Sequence, residues 1–308
     1  MTFKVCVTAQ SFVKSEQLRG LLESELPSAD IYYHFAEESF QDFLIKHQPH
    51  AWVVGREPVN KDVLEVLNEL EVVSKYGVGI DNVATEDLQN LGVDFYCEMG
   101  VNSQSVAEFT LGLMLGLSRN VCRASSLLSH GIWKKDGGRN LSGSKVGIIG
   151  CGNIGSKVAR LTSAFACDLY INDIVDKTDF CQKNNFSFVG LDELLQKSDF
   201  VTLHVPLTRK THGFIDLSRL RLIGDKGYLI NTSRGEVVVQ DHLKKALKNS
   251  YLAGAALDVY DGEPLTDSEL YENPRFIGTP HIAGNSREAV LSMGKAAIRG
   301  VVQKFESH

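Results

Sequence analysis

The sequence predicts an α/β protein of two domains, each a doubly wound parallel sheet. Three observations predict it. Short apolar runs alternate with helical patterns over residues 3–96 and again over 145–279. The strand-like runs are apolar throughout rather than alternating, the pattern of strands covered on both faces. And a glycine-rich turn, Gly150-Cys151-Gly152-Asn153-Ile154-Gly155, joins the first strand of the second run to a helix. At 308 residues the chain exceeds what one small core needs and suits two.

In the first run, Phe3–Thr8, Ile31–Phe35, Ala51–Val54, Val72–Ser74 and Asp94–Tyr96 read as strands. Between them Ser15–Glu25, Glu38–Lys46, Lys61–Leu67 and Thr85–Asn90 read as helices. Ser103–Arg119 reads as a longer helix, apolar almost all round, which implies burial between domains or against a second subunit. The polar stretch His130–Ser144 reads as an arm or linker. The second run gives strands at Lys145–Ile149, Asp168–Asn172, Phe200–Leu203, Leu229–Asn231, Ala253–Asp258 and Phe276–Thr279. Its helices are Ile154–Ala164, Leu191–Gln196 and Asp241–Lys248, and Ser286–Phe305 closes the chain as a helix. Six strands in the second run suit one complete doubly wound domain.

Composition excludes several classes. The net charge of −6, without a block of like charge, gives nucleic-acid binding no electrostatic support. A local basic pocket for a small anion stays compatible with it. The six cysteines, at 6, 97, 122, 151, 167 and 181, form no CxxC pair and no metal spacing. That predicts a reduced cytoplasmic protein without a metal. The N-terminus has no secretory pattern, and no apolar run reaches the roughly 18 residues of a membrane span.

A GxGxxG alone is a weak signal; here it follows the strand KVGII and opens a helix, the context that dinucleotide binding requires. Gly150 supplies the tight turn, Gly152 lets the backbone approach a pyrophosphate, and Gly155 lets helix and strand pack closely. The amides of Asn153 and Ile154, with the helix dipole, would hold the diphosphate. Asp173 ends the second strand, where its carboxylate can accept from both ribose hydroxyls and would repel a 2′-phosphate. The predicted cofactor is therefore NAD rather than NADP, with Lys177 near enough to soften the preference.

Three further motifs lie at strand ends of the same domain: Asn231-Thr232-Ser233-Arg234-Gly235, Asp261-Gly262-Glu263-Pro264 and Thr279-Pro280-His281-Ile282-Ala283-Gly284. Ligands of open parallel sheets bind outside the carboxyl ends of the strands. Hydride transfer to a keto acid creates an alkoxide, which needs a proton, and the substrate carboxylate needs a cation. Histidine suits the first task, and a neighbouring carboxylate favours its charged form and fixes its ring. Arginine suits the second through its planar fork of donors. The chain offers His281, Glu263 and Arg234.

With these residues in view, the sequence resembles the D-isomer-specific 2-hydroxyacid dehydrogenases, and within them the phosphoglycerate dehydrogenase-like members. The matching stretches are SKYGVGIDNV, NSQSVAEFTLGLML, LSGSKVGIIGCGNIG, HVPLTRKTHGFI, LINTSRGEVV, GAALDVYDGEP and TPHIAG, spread over nearly the whole chain. The resemblance implies that Arg234 meets the substrate and that Glu263 and His281 form an acid–histidine pair. It places Asp258 at the nicotinamide carboxamide and Asn153, Ile154, Asp173, Val205, Thr232, Ser233 and Gly284 along the cofactor. His204, Pro206 and Thr211 fall in the same cofactor-lining motif, and Arg234 and His281 border the cofactor as well. Val78 and Gly79 fall on a loop whose amides receive the substrate carboxylate.

The resemblance also implies the domain plan. A flavodoxin-like substrate domain is expected from residues 1–101 plus 285–308, and a Rossmann NAD-binding domain from 102–284. Chain crossings near Val101 and Asn285 are the expected hinges of a closing cleft, and a homodimer or larger homo-oligomer is expected through the 103–119 helix.

For the substrate, Arg56, Lys75 and Asn102 favour a phosphorylated or otherwise anionic 2-hydroxy acid, D-3-phosphoglycerate among the candidates. Two features point elsewhere. The chain ends at His308 without room for a C-terminal regulatory domain, and Tyr76 stands where a small residue is common. A glyoxylate/hydroxypyruvate-type or sugar-acid reductase is the alternative within the family. A binding protein that senses NAD(H) is the alternative outside catalysis. A formate dehydrogenase is disfavoured by Glu263, where that group carries glutamine.

Overall fold

The computed structural model describes residues 2–35 and 37–307. It runs β1 (Lys4–Val7), α1 (Gln10–Val13), α2 (Glu16–Glu25), β2 (Asp30–Tyr33), α3 (Phe40–His47), β3 (Ala51–Val54), α4 (Lys61–Leu64), β4 (Val72–Lys75), α5 (Thr85–Asn90) and β5 (Asp94–Tyr96). Then come α6 (Ser103–Ser118), α7 (Val121–Ser129), β6 (Lys145–Ile149), α8 (Gly155–Ser163), β7 (Asp168–Asn172), α9 (Thr178–Asn184), β8 (Ser187–Phe188), α10 (Leu191–Lys197) and β9 (Phe200–Leu203). The chain ends with α11 (Leu217–Ile223), β10 (Tyr228–Asn231), α12 (Gln240–Lys248), β11 (Gly254–Leu257), α13 (Ser268–Tyr271), β12 (Phe276–Gly278) and α14 (Arg287–Phe305). Two compact units emerge: Met1–Asn102 with Asn285–His308, and Ser103–Gly284.

The first unit holds a five-stranded parallel sheet in the order β2-β1-β3-β4-β5, the flavodoxin-like order. The central strand β3 is apolar throughout, and the apolar residues of β1 and β3 alternate between opposite cores. Val5, Val7, Ala51 and Val53 pack with Phe12, Leu18, Leu22 and Ala297. Cys6, Trp52 and Val54 pack with Phe43, Leu44, Val63 and Leu88. Each fully buried Val, Leu or Phe among them contributes about 1.5–3 kcal/mol. The returning helix α14 is capped by Ser286, which accepts from the Ala289 amide. It lies close on the sheet because it carries glycine where a side chain would collide: a Cβ on Gly300 would lie 2.5 Å from Ser74 Oγ. Ser74 Oγ in turn donates to the Ala297 carbonyl at 2.7 Å.

The second unit holds a seven-stranded parallel sheet, β12-β11-β10-β9-β6-β7-β8. Counted from β6, the order is 3-2-1-4-5-6 plus one further edge strand, the dinucleotide-binding arrangement. The same alternation operates. Val201, Leu203, Leu229 and Leu257 face one core; Val146, Ile148, Phe200 and Ile230 face the other. The chain reverses direction across the sheet between β6 and β9, the topological switch point where ligands bind in such sheets.

Elements invisible to the sequence reading are α1, α7, α9, α11, α13 and the two-residue β8. Most are short. α7 buries none of its residues, so it has no core-facing stripe to read. α11 is set by its cap, with Asp216 accepting from the Arg219 amide. One expectation is corrected. Helix α6 is not apolar all round in its setting: it buries eight residues, among them Val106, Thr110, Leu113 and Met114, within its own unit against α8, β10, β11 and β12. Gln104, Glu108 and Gly112 form an exposed row. Those eight residues find their cover within the helix's own unit.

Candidate active site

The glycine turn between β6 and α8 has the shape its sequence requires. Gly150 sits at φ +89°, and a Cβ there would lie 2.6 Å from the His204 carbonyl oxygen. A Cβ on Gly155 would lie 2.0 Å from the Gly150 carbonyl oxygen, so helix and turn touch backbone to backbone. Gly152 instead faces open space with nothing within 4 Å of its Cβ position. Contact on two sides and a gap on the third form a cradle that a diphosphate fits. The first turn of α8 carries no acidic side chain to oppose an anion.

Asp173, just past β7, accepts from the Cys151 amide at 2.7 Å through Oδ2 and from the Val175 amide at 2.9 Å through Oδ1. The carboxylate is thereby pinned at the edge of the turn with acceptor capacity to spare. His204 and Val205 continue β9 against Gly150. His204 Nε2 lies 3.0 Å from Thr202 Oγ1, while its Nδ1 is sealed from solvent without a hydrogen-bond partner. Burial pushes the ring's pKa down to about 3, so it is neutral. This buried, unpartnered ring nitrogen belongs to the residue whose carbonyl packs on Gly150. Thr211 Oγ1 donates to the Pro206 carbonyl at 2.6 Å and closes the 206–211 turn.

The loop after β10 is organised by Asn231, a buried residue that the sequence reading left without a role. Its Oδ1 accepts from the Ser233 amide at 3.0 Å and hydroxyl at 2.7 Å, and its Nδ2 donates to the Arg234 carbonyl at 2.8 Å. The side chain thus fixes the backbone that presents Thr232, Ser233 and Arg234. Gly235 follows because nothing larger fits: a Cβ would lie 1.9 Å from the Tyr260 carbonyl carbon. That contact sets the Arg234 loop directly on the stretch leading to Glu263. Tyr260, also unassigned by sequence, donates its hydroxyl to the Leu257 and Thr279 carbonyls at 3.0 and 3.1 Å. Its phenol is pushed up to about 12, chiefly by burial.

His281 and Glu263 meet. His281 Nδ1 lies 2.9 Å from Glu263 Oε2 and 3.0 Å from Oε1. The imidazole side chain is 38% exposed and the carboxylate 15%, so the acid is the sheltered partner and the ring faces outward. Glu263 Oε1 also accepts from the Tyr260 amide at 3.2 Å. His281 adopts a left-handed backbone, φ +54°, uncommon for a non-glycine residue and costing of order 1–3 kcal/mol. Asp258 holds it there. Its main-chain carbonyl accepts from the His281 amide at 2.9 Å. Its Oδ1 accepts from Thr279 Oγ1 at 2.6 Å and the Ile282 amide at 2.9 Å, and its Oδ2 from the Ala283 amide at 2.8 Å. The carboxylate that resemblance places at the nicotinamide is thus, in this structure, the anchor of the His281 loop.

In the first unit, Arg56 is exposed and Asn102 is buried, its Oδ1 without a partner. Val78 and Gly79 are partly buried in the loop that follows β4, which turns at Gly77 with φ +112°. Lys75 is buried, and its ammonium donates to the Gly55 carbonyl and, at 2.9 Å, to Asn82 Oδ1. It ties two loops of its own unit together. Among the described residues no group of three His, Cys, Asp or Glu side chains is placed to hold a metal, and no helix is long and apolar enough to cross a membrane.

Comparison with known proteins adds the last observation. Residues 111–283 match the model of the D-isomer specific 2-hydroxyacid dehydrogenase, NAD binding domain. The chain is 36% identical over 252 residues to a glyoxylate reductase of Thermofilum pendens, covering 79% of this chain and 74% of that protein. It is 33% identical to a hydroxypyruvate reductase of Thermotoga maritima over 279 residues, covering 88% and 90%. The crystal structure of the TT0316 protein of Thermus thermophilus superposes with a TM-score of 0.88 at 28% identity, covering 99% of this chain and 98% of that one.

Proposed function

The chain belongs to the D-isomer-specific 2-hydroxyacid dehydrogenase family and is an NAD-dependent oxidoreductase of 2-hydroxy and 2-keto acids, and we propose that Arg234, Glu263 and His281 carry its chemistry. NAD(H), when bound, supplies or accepts the hydride. Glu263 accepts from Nδ1 of His281, which leaves Nε2 as the nitrogen that exchanges a proton with the oxygen on substrate C2. His281 is the acid in reduction and the base in oxidation. Arg234 receives the substrate's carboxylate and polarises its carbonyl. The 2.9 Å His281–Glu263 pair, on a strained backbone fixed by Asp258, is the observation that carries the reading.

The cofactor cradle runs along Gly150, Gly152, Asn153, Ile154 and Gly155, with Asp173 at the ribose. His204, Val205, Pro206, Thr211, Thr232, Ser233, Asp258 and Gly284 make the remaining wall. The first unit serves as the substrate domain and the second as the cofactor domain.

For the substrate we favour a small unphosphorylated keto acid of the glyoxylate or hydroxypyruvate kind over a phosphorylated one. Lys75, the cation expected to meet a phosphate, is buried and engaged by Gly55 and Asn82. We also assign a homodimer in the cytoplasm. The support for a second copy is α7 and the segment after it, where Val121, Leu128, Ile132 and Trp133 are exposed, Trp133 by 77%. The test is NADH oxidation by the purified protein over glyoxylate, hydroxypyruvate, pyruvate and 3-phosphohydroxypyruvate. Turnover confined to the phosphorylated acid would overturn the substrate assignment. Tight NADH binding with no turnover on any would overturn the enzyme.

A further inference from the structure

Helix α6 reaches both catalytic loops with side-chain hydroxyls. Ser105, in its first turn, donates Oγ–H to the Ala283 carbonyl at 2.7 Å, two residues beyond His281. Thr110, fully buried, lies with its Oγ1 2.9 Å from Thr232 Oγ1, two residues before Arg234. Thr110 Oγ1 also donates to the Val106 carbonyl at 2.7 Å. A hydroxyl has one proton and two acceptor sites. Thr110's proton is committed to the helix carbonyl, so Thr232 must be the donor of the pair, and Thr232 Oγ1 is left with acceptor capacity only. The neighbouring Ser233 hydroxyl is committed in the same way to Asn231 Oδ1.

We propose that Ser105 and Thr110 are positioning residues that set the His281 and Arg234 loops on one common support, α6, and that the Thr110–Thr232 pair orients Thr232 to accept rather than donate. The two loops otherwise rise from different strands, β10 and β12, that are not neighbours in the sheet. The Tyr260 stretch after β11 touches both loops from within the strand ends, and α6, which packs on β10, β11 and β12, touches both from the helix layer. Thr110 and Thr232 lie in the buried interior, where an unpaired hydroxyl is costly, so the polarity of the Val106–Thr110–Thr232 chain is well determined. A ligand group meeting Thr232 must then bring a proton, as an amide N–H or a ribose hydroxyl does. The inference rests on the reading of Arg234 and His281 given above.

Thr110→Val keeps shape and removes the hydroxyl; Thr110→Ser keeps the hydroxyl; Ser105→Ala removes the other link. Thr162→Val is the control, a buried threonine that donates to Val158 within α8 at 2.8 Å and has no link to either loop. The readouts are kcat and KM for the keto acid that the wild type turns over, and the thermal midpoint. Thr110→Val and Ser105→Ala are each expected to lower kcat about tenfold, since small displacements of reacting groups are costly. Thr110→Ser should restore it, and Thr162→Val should leave it unchanged. The inference is overturned if Ser105→Ala and Thr110→Val keep wild-type kcat, or, where Thr110→Val does not fold, if Ser105→Ala keeps it. It is equally overturned if Thr162→Val loses as much, or if Thr110→Ser is as slow as Thr110→Val. Failure of the underlying reading looks different: His281→Ala would then turn over normally.

Discussion

His281 and Glu263 form a two-pronged contact, with Nδ1 2.9 and 3.0 Å from the two carboxylate oxygens. The histidine comes from the loop after β12 and the glutamate from the loop after β11, neighbouring strands in the sheet. The contact fixes which ring nitrogen is turned toward the protein, and so which one the proposed mechanism gives to the substrate. His281→Ala is therefore expected to lower kcat by about 10²–10⁴, the worth of a positioned acid, with little change in NADH affinity. Glu263→Gln, which keeps the side-chain reach and an acceptor but removes the charge, should retain some activity at a lowered kcat. Near-normal turnover of His281→Ala across the neutral range would assign the proton to another group.

Asp173 is held by the amides of Cys151 and Val175 at the mouth of the glycine turn. Asp173→Ala removes the ribose acceptor and the charge that repels a 2′-phosphate. The Kd for NADH should rise about tenfold or more, matching the loss of hydrogen bonds to a charged group, and the gap to NADPH should narrow. Fluorescence titration with both cofactors checks it; a wild-type preference for NADPH would refute the assignment.

Gly235 has no room for a methyl group, because its Cβ position overlaps the Tyr260 carbonyl. Gly235→Ala should cost about 3 kcal/mol in urea unfolding, the upper part of the overpacking range, since backbone yields less than side chains. It should also lower activity, because the displaced segment carries Arg234. A variant of wild-type stability would mean that the loop relaxes freely.

His204 is neutral, its pKa lowered by burial to about 3 from 6.5. In the unfolded chain the ring takes up a proton near its ordinary value; in the folded chain it does so only near 3. Its contribution to stability is thus fully present above about 6.5 and is lost as pH falls toward about 3. His204→Gln should flatten the acid side of the stability profile. Parallel urea midpoints for variant and wild type from pH 7.5 to 4.5 would exclude this role.

Helix α7 buries none of its residues, and Leu128 and Trp133 stand exposed. Placing charge there, as Leu128→Glu with Trp133→Glu, should shift sedimentation from dimer toward monomer. A wild type that sediments as a monomer at every concentration would remove the basis for the dimer.

Much of this protein was determined by sequence alone, because the responsible signals are local. A strand covered on both faces must be apolar at every position, so runs such as Ala51–Val54 are legible without knowing their neighbours. Gly150 and Gly155 are legible because only glycine tolerates the φ of +89° or the backbone contact they adopt, and Gly152 because it completes the same spaced motif. Arg234, Glu263 and His281 could be singled out because one chemistry needs one residue of each kind at a strand end. What tertiary structure decided depends on partners distant in the chain. Asn231 and Tyr260 organise the site through hydrogen bonds that no spacing announces. Lys75 read as a cation for substrate, yet its ammonium is engaged by Gly55 and by Asn82. Helix α6 read as apolar almost all round and buried between domains or against a second subunit, and its eight buried residues pack on β10, β11, β12 and α8 of its own unit. Charge and apolarity are properties of a residue, but whether either is already satisfied is a property of its neighbours.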